Sequence, residues 1–286
     1  AAEKLPERPR GGHKGTFGHV FVVGGSLGFT GAVQLAGLGA ARSGSGLVTL
    51  GVPESLMTIV GGRALECMTF PLAESSARSL AAQGVDAALE FAATRDACVL
   101  GPGCSQHPDT REFTLKFIRR CPVPLVVDAD GLNNLSTNMA VLKQTESPVV
   151  LTPHPGEMAR LTGQLTPEIQ ADRAGMAARF AAEYGCTVVL KGAGTIVAAP
   201  GLDTHLNTTG NDGMGTGGTG DVLSGVIGGL IAQGLDGADA ALLGVYAHGL
   251  AGDIAAERRG RRGMLAGDLV EALPEAWLAL EQELST

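Results

Sequence analysis

The chain has 286 residues and a formal net charge of −8, from 21 basic and 29 acidic side chains. Because its densest basic run is the arginine cluster at 258–262, which reads as a solvated loop, nucleic acid is not expected as a partner. Five scattered cysteines argue against a disulfide framework or a C-x-x-C zinc site and indicate a reducing cytoplasm. No apolar run is long enough to span a bilayer, so a soluble protein without membrane contact is expected.

Short runs of β-branched residues alternate with amphipathic or alanine-rich segments along the chain. Each run has the length and composition of a buried parallel strand. The alternation predicts βαβ units, and therefore an α/β layered sandwich with a mostly parallel central sheet. No repeat, linker or compositional break divides the chain, so residues 1–286 are predicted to form one domain. The predicted strands cover 19–25, 46–52, 97–101, 123–130, 148–152 and 187–192, and the predicted helices cover 31–43, 76–93, 109–120, 167–184, 221–233, 237–258 and 268–283.

The glycine-rich segment NTTGNDGMGTGGTGDVL, at 207–223, is the most informative part of the chain. The apolar residues that follow predict a helix that begins at Asp221, and a helix start offers unpaired N–H groups and positive dipole charge. Glycines without side chains let backbone amides approach an anion closely. The segment therefore predicts a phosphate-binding cradle with a carboxylate at its edge. The cradle residues are Gly217, Gly218 and Thr219, and the carboxylate is that of Asp221.

Two common phosphate motifs do not match this segment. Residues 215–220 fit G-x-G-x-x-G, but they follow a polar run instead of an apolar strand, which excludes a dinucleotide fingerprint. No lysine follows the last glycine, which excludes a P-loop. Positive charge must then come from amides, the helix dipole, Lys191 or bound Mg²⁺. Taken alone, Asp221 would be an ordinary helix N-cap, but the preceding glycines favour a functional role.

Several predicted strands end in polar residues, at the edge where open α/β sheets bind ligands. Lys191 is either a phosphate contact or a surface lysine, and His154, between two prolines, is either a ligand contact or structural. Glu157 either favours a helix start or holds a metal through water. Asp128 and Asp130 are either turn residues or ligands of magnesium or a hydroxyl.

Small residues lie in two further segments near this edge. Gly103 lies in the sequence GPG after the strand at 97–101, and Ala32 lies at the start of the helix at 31–43. They leave space for a flat ring, although tight packing explains them equally well.

In chain order, the segments HKGTFGHVFVVGGS, GPG, DADGLN, LTPHPGEMARLTG, VVLKGAGT and NTTGNDGMGTGGTGDVLSG resemble those of the ADP- or ATP-dependent NAD(P)H-hydrate dehydratases. The resemblance covers nearly the whole chain. HPGE together with N-x-G-M-x-x-G-G-x-G-D is much more specific than G-x-G-D alone. The resemblance implies a ribokinase-like three-layer sandwich, in which residues 218–221 are the G-x-G-D segment.

The resemblance implies a reaction on hydrated NADH or NADPH. A nucleotide phosphoryl group is transferred to the ring hydroxyl, and phosphate then leaves to restore NAD(P)H. ADP is expected before ATP as the donor, Asp221 is expected to take the hydroxyl proton, and Mg²⁺ is the expected cofactor with unidentified ligands. The implied nucleotide contacts are Lys191, Gly192, Ala193, Gly194, Thr195 and Gly220, and the implied substrate contacts are Ala32, Gly103, His154 and Asp221.

Two alternatives share the same cradle. One is a ribokinase-like kinase of a vitamin-type alcohol, and the other is a non-catalytic module that senses nucleotides. A homo-oligomer is expected on family grounds alone. Many relatives carry an epimerase domain ahead of this one, and nothing before His13 is long enough to be one, so epimerase activity is not expected.

Overall fold

The computed structural model describes residues 2–284 and contains one mixed sheet within that range. Its core strands are runs of Val, Leu and Ile that are buried on both faces, as parallel strands covered by helices must be. The strands are β1 (His19–Val23), β2 (Leu47–Pro53), β3 (Met68–Leu72), β4 (Ala97–Leu100), β5 (Leu125–Val127), β6 (Val149–Leu151), β7 (Thr187–Leu190), β8 (Ile196–Ala198) and β9 (His205–Leu206).

The strand order is β3-β2-β1-β4-β5-β6-β7-β8-β9. Neighbours from β3 to β7 pair in parallel, with Val22 opposite Leu50 on one side and Val99 on the other. The last two pairings, β7 with β8 and β8 with β9, are antiparallel. The order reverses at β1, which lies between β2 and β4, so the carboxyl ends of the parallel strands share one edge where a crevice can form.

Helices cover both faces of the sheet, which confirms the predicted three-layer sandwich. Alternate residues of each strand point to opposite faces, so Val20 and Val22 join one core cluster while Phe21 and Val23 join the other. The first cluster includes α1 and α9–α11, and the second includes α3–α8. The helices are α1 (Thr30–Arg42), α2 (Met57–Gly61), α3 (Val85–Ala92), α4 (Pro108–Arg120), α5 (Asp130–Leu135), α6 (Pro155–Thr162), α7 (Thr166–Ala171), α8 (Arg173–Tyr184), α9 (Thr219–Ala232), α10 (Gly237–Arg259) and α11 (Ala266–Glu283).

All six predicted strands are present, five of them shorter than predicted and β2 displaced by one residue, whereas three predicted helices differ. The predicted helix at 76–93 is helical in α3 only, because Ser79 Oγ bonds Ser75 Oγ and Thr110 Oγ1 (2.8 and 2.7 Å) and so offers the preceding segment an alternative to helical hydrogen bonds. The predicted helix at 167–184 is broken at Asp172, whose side chain caps α8. The helix predicted to begin at Asp221 begins at Thr219 instead.

Helix α9 is nearly buried because glycines let it approach its neighbours. A Cβ added to Gly225 would come within 1.9 Å of the Ala36 carbonyl oxygen in α1. A Cβ at Gly228 would come within 2.4 Å of Val99 in β4. The close approach to α1 on one side and the sheet on the other fixes the height at which the first turn of α9 stands beside the carboxyl ends of the strands.

Candidate functional site

The predicted functional residues converge at the carboxyl edge of the sheet. Asp128 follows β5, His154 lies three residues after β6, and Lys191 follows β7. The loops after β1 and β4 meet there too, since Gly25 N–H donates to Pro102 O at 2.9 Å and Ser26 Oγ donates to Gly103 O at 2.8 Å. Segments far apart in sequence therefore form one continuous rim.

A cavity of about 660 Å³ opens beside this rim. It contains all six of the residues predicted to bind the nucleotide, and Thr219 of the predicted cradle. Its remaining wall comes from the segment 206–215 and from α10. A cavity of this size is in the range of small-molecule and cofactor sites. The nucleotide-binding prediction thus corresponds to one physical cavity.

The first turn of α9 faces this cavity. Gly218 is the N-cap with φ of +98°, a conformation that favours glycine, and no side chain of residues 2–284 caps the helix. The Thr219 hydroxyl donates to Met214 O at 2.9 Å and closes the preceding loop. Asp221 is the third helical residue, so its interpretation as an N-cap is wrong. The leading amides of α9 remain available to an anion.

Lys191 lies at the centre of a charged cluster. Its ammonium is 2.6 Å from Asp128 Oδ1 and 3.8 Å from Glu157 Oε2. The side chain of Asp128 is only 1 % exposed, and burial of such a charge requires a partner. Burial alone would lower the pKa of Lys191, but Asp128 and Glu157 outweigh it and raise the pKa. The ammonium expected to meet a phosphate is thus already paired with carboxylates.

His154 and Glu157 form a capping box at the start of α6. Glu157 Oε2 accepts the His154 N–H at 2.8 Å, and His154 Nδ1 accepts the Gly156 N–H at 3.0 Å. Burial, then Lys191, lower the pKa of His154, so the ring is neutral and its proton is on Nε2. Nε2 lies 3.4 Å from Glu157 Oε1. Both residues therefore have structural partners, which is the helix-start role weighed for Glu157.

Asp221 lies within electrostatic reach of this cluster. Burial, then the charge of Asp128, raise its pKa to about 7, although Lys191 lowers it. Burial likewise raises the pKa of Glu157 to about 7. A carboxyl group with a pKa near the working pH is suited to accept a proton. Shifts of this kind occur at functional sites and also in structural ion-pair networks.

Ala32 and Gly103 lie against each other at the far end of the rim. A Cβ added to Gly103 would be 3.0 Å from the Ala32 Cβ and 2.6 Å from the Phe29 carbonyl oxygen, and Gly103 has φ of +64°. Tight packing, one of the two explanations considered, thus accounts for the glycine. Neither residue lines the cavity in the described chain, and the same holds for His154, Asp221, Gly217 and Gly218. Of the predicted substrate contacts, His154 and Asp221 lie beside the Lys191 cluster, whereas Ala32 and Gly103 contact each other.

Sequence reasoning missed several residues of the cavity wall. His248 of α10 is buried, lines the cavity and donates from Nε2 to Thr219 O at 2.8 Å. Burial lowers its pKa to about 4, so it stays neutral. Asn207 and Asn211 also line the wall. The asparagines lie within the glycine-rich segment that drew attention, but a single histidine in a long helix carries no sequence signal of its own.

The family model described as NAD(P)H-hydrate dehydratase matches residues 20–275, a stretch that contains every predicted site residue. The chain belongs to this family. It is 47 % identical over 283 residues to the bifunctional NAD(P)H-hydrate repair enzyme Nnr of Moorella thermoacetica, covering 99 % of this chain and 53 % of that protein. The chain thus spans about half the length of such bifunctional relatives of the family.

Shorter relatives match over nearly their full length. The ADP-dependent (S)-NAD(P)H-hydrate dehydratase of Bacillus subtilis is 35 % identical, with 97 % of this chain and 95 % of that protein covered. A crystal structure of the ADP/ATP-dependent NAD(P)H-hydrate dehydratase from the same organism, co-crystallized with ATP/Mg²⁺, superposes with a TM-score of 0.84 at 33 % identity. That superposition covers 98 % of this chain and 96 % of that one.

The fold is ribokinase-like, as the resemblance implied. A ribokinase from Thermotoga maritima superposes with a TM-score of 0.54 at 14 % identity, a likeness that concerns the fold alone. Within residues 2–284, no cluster of three or more His, Cys, Asp or Glu side chains has a metal-binding arrangement. In the same range, no helix combines the length and apolar character needed to cross a bilayer.

Proposed function

We propose that this chain restores NADH and NADPH from their hydrated forms, with ADP before ATP as the phosphoryl donor. The observation that carries the proposal is the position of Asp221. Its pKa is raised to about 7, and it stands in the first turn of α9, whose amides border a cavity of about 660 Å³. Family membership supports the choice of substrate.

The nucleotide is proposed to occupy the cavity between the loop at 191–195 and the first turn of α9. Gly220 lies beside Lys191, since a Cβ added to it would be 3.3 Å from the ammonium nitrogen. A larger residue there would intrude where the two phosphate-binding elements meet. The predicted cradle of Gly217, Gly218 and Thr219 would bind the transferred phosphoryl group through the helix start.

The hydrated ring is proposed to lie on the other side of Asp221, toward His154, Ala32 and Gly103. Asp221 accepts the proton of the ring hydroxyl while that oxygen attacks the terminal phosphorus of ADP, and the bond from this phosphorus to the bridging oxygen breaks to release AMP. The lone pair of the ring nitrogen then expels phosphate. A proton leaves the neighbouring ring carbon, which restores the double bond of NAD(P)H.

The backbone of α9 supplies the electrostatic part of catalysis. The unpaired N–H groups of its first turn are fixed before the reaction and point at developing negative charge. Each well-placed donor of this kind contributes about 3–4 kcal/mol to a transition state in other enzymes. Lys191 forms an ion pair with Asp128, and its positive charge limits the rise of the Asp221 pKa.

Mg²⁺ is the metal expected with the nucleotide, and Asp128 is the residue that fits it. Its Oδ1 pairs with Lys191, while its Oδ2 is buried and has no hydrogen-bond partner among residues 2–284. Mg²⁺ prefers hard oxygen ligands and usually takes one or two carboxylates together with substrate phosphates. We propose that Asp128 would help to hold it there. When bound, the ion neutralises phosphate charge.

The direct test is to incubate hydrated NADH with the chain and ADP, with ATP in parallel. Recovery of NADH absorbance together with release of AMP and phosphate is the expected result. The kinase alternative requires a stable phosphorylated product without NADH recovery. The sensing alternative requires nucleotide binding with no turnover, and Asp221→Asn would then change nothing measurable.

Three further properties are proposed. All five cysteines are free thiols, which supports a reducing cytoplasm as the location. One continuous sheet runs through the described chain, which supports a single domain over residues 1–286. A homo-oligomer is proposed from family membership alone. Size-exclusion chromatography with light scattering tests it, and a monomer at assay concentration would refute it.

A further inference from the structure

Arg173 begins α8 and holds the backbone of the loop at 191–195. Its Nη1 donates to Ala193 O at 2.7 Å, and its Nη2 donates to Leu190 O at 3.0 Å. Arg173 is not among the lining residues of the cavity in the described range, whereas the loop itself is. The guanidinium therefore contacts the loop from outside the cavity.

The geometry of the peptide bond between Ala193 and Gly194 determines where the Gly194 N–H points. Every peptide bond in residues 2–284 is trans. In a planar trans peptide, the C=O of one residue and the N–H of the next point in opposite directions. Because the Ala193 carbonyl points at Arg173, the Gly194 N–H points away from Arg173. Gly194 lines the cavity, and its N–H has no acceptor within residues 2–284.

The loop needs an external restraint to keep this orientation. Gly192 and Gly194 have φ of +148° and +66°, and glycine peptides rotate more freely than others. Backbone hydrogen bonds fix the two ends of the loop, from Lys191 N–H to Pro153 O and from Asn207 N–H to Thr195 O, both at 2.8 Å. Between these ends, Thr195 Oγ1 donates to Gly192 O at 3.1 Å. A planar guanidinium fork loses little freedom for each bond that it donates, so it suits this task. A Cβ at Gly192 would come within 2.8 Å of Arg173 Nη2, so a side chain there would displace the end of the guanidinium.

We infer that Arg173 is a positioning residue for the nucleotide. By fixing the Ala193 carbonyl, it presents the Gly194 N–H to an acceptor atom of the adenine nucleotide. Arg173 itself contacts no reacting group. The inference rests on the proposed function only in taking an adenine nucleotide as the occupant of the cavity.

The test is titration calorimetry of ADP with Mg²⁺ against the wild-type chain, Arg173→Ala and Arg173→Lys. Arg179→Ala is the matched control, because Arg179 lies on the same helix, is 63 % exposed and pairs with Asp172. Loss of an ordered donor, at about 1–1.5 kcal/mol, corresponds to roughly tenfold weaker binding in Arg173→Ala. Arg173→Lys, which keeps a charge and one donor, is expected to be intermediate, and Arg179→Ala to stay within twofold.

A structural role alone would not confine the effect to the nucleotide. The KM for ADP should rise in Arg173→Ala while the KM for hydrated NADH stays within twofold, and the melting temperature without nucleotide should stay near that of Arg179→Ala. ADP affinity equal to that of Arg179→Ala overturns the inference. So does a parallel loss of affinity for both substrates with a lowered melting temperature. Calorimetry needs no turnover, so a failed dehydratase assay leaves this result readable.

Discussion

Asp221→Asn is expected to stabilise the chain at pH 8 while it removes activity. Burial and Asp128 raise the pKa of Asp221 from 3.8 to about 7, so the ionised form is more costly in the folded state than in the unfolded state. The folded state binds the proton more tightly, and this group therefore lowers the free energy of unfolding as pH rises from about 4 to 7. Above about pH 7 the cost is fully present. An amide at this position carries no such cost.

The size of the effect follows from the same pKa. The interval from 3.8 to about 7, at 1.36 kcal/mol per pH unit, gives an upper bound on the order of 4 kcal/mol. The buried amide of Asn costs about 1–3 kcal/mol where it lacks a partner. We therefore expect a net gain of about 1–3 kcal/mol at pH 8. The difference from wild type should be smaller at pH 5 by roughly 2 kcal/mol.

Urea unfolding at pH 5, 6, 7 and 8, without nucleotide, measures this difference. Asp86→Asn is the control, because Asp86 also lies in the first turn of a helix but is 76 % exposed and pairs with Arg120. It should show no gain at any of these pH values. If Asp221→Asn is no more stable than wild type at pH 8, or its advantage does not grow between pH 5 and pH 8, the assignment of a destabilised carboxylate is wrong.

Three other predictions test neighbouring parts of the argument. The wild-type kcat should rise about tenfold from pH 6 to pH 8 as Asp221 ionises. Asp221→Asn should lose about 100-fold or more in kcat while its affinity for ADP is unchanged. A kcat that does not change with pH would exclude Asp221 as the base. Lys191→Met leaves the buried Asp128 without its cation and should lower the free energy of unfolding in urea by about 3–5 kcal/mol. Lys143→Met, at an exposed pair, should lower it by less than about 1 kcal/mol. Equal losses would contradict the buried pair. In Gly225→Ala the new Cβ would lie 1.9 Å from a backbone oxygen, so the free energy of unfolding should fall by about 2–4 kcal/mol. Gly267→Ala, with open space around it, should not lower it. An unchanged melting temperature of Gly225→Ala would refute the close packing of α9.

The sheet was predictable where hydrophobicity alone defines a strand. β1 and β4 are continuous apolar runs, and such runs have few alternatives to a buried strand. The strand β3 was missed because it is a partly exposed edge strand that contains Pro71, and such strands lack a continuous apolar signal. The strands β8 and β9 have three and two residues, too few for any period to show. The first part of the predicted helix at 76–93 is not α-helical because of hydroxyl contacts that include the distant Thr110, and a local sequence pattern does not show such contacts.

The sequence predicts which residues gather at the carboxyl edge of the sheet, but not how they pair. Glycine spacing and strand-end positions pointed to Asp221, Lys191 and His154 without any knowledge of distances. The partners of Lys191 could not be inferred, because Asp128 and Glu157 follow different strands, β5 and β6, and the order of β5, β6 and β7 brings them together. The same order places the neutral His154 beside Glu157. Topology, which short-range patterns do not encode, converts separate motifs into one electrostatic unit.

That unit is short of positive charge, and this shortage bears on how the base works. Asp128, Glu157 and Asp221 share one ammonium, that of Lys191, and two of these carboxyls already have a pKa of about 7. An anionic nucleotide entering alone would raise the pKa of Asp221 further and leave it protonated. A cation that arrives with the phosphates reverses this effect and keeps the carboxylate available as a base. Asp128 Oδ2 is buried and has no hydrogen-bond partner in the described chain, so it is free to bind such a cation. Under the proposed function, Asp221 would therefore act as a base only with nucleotide that carries its own counter-ion.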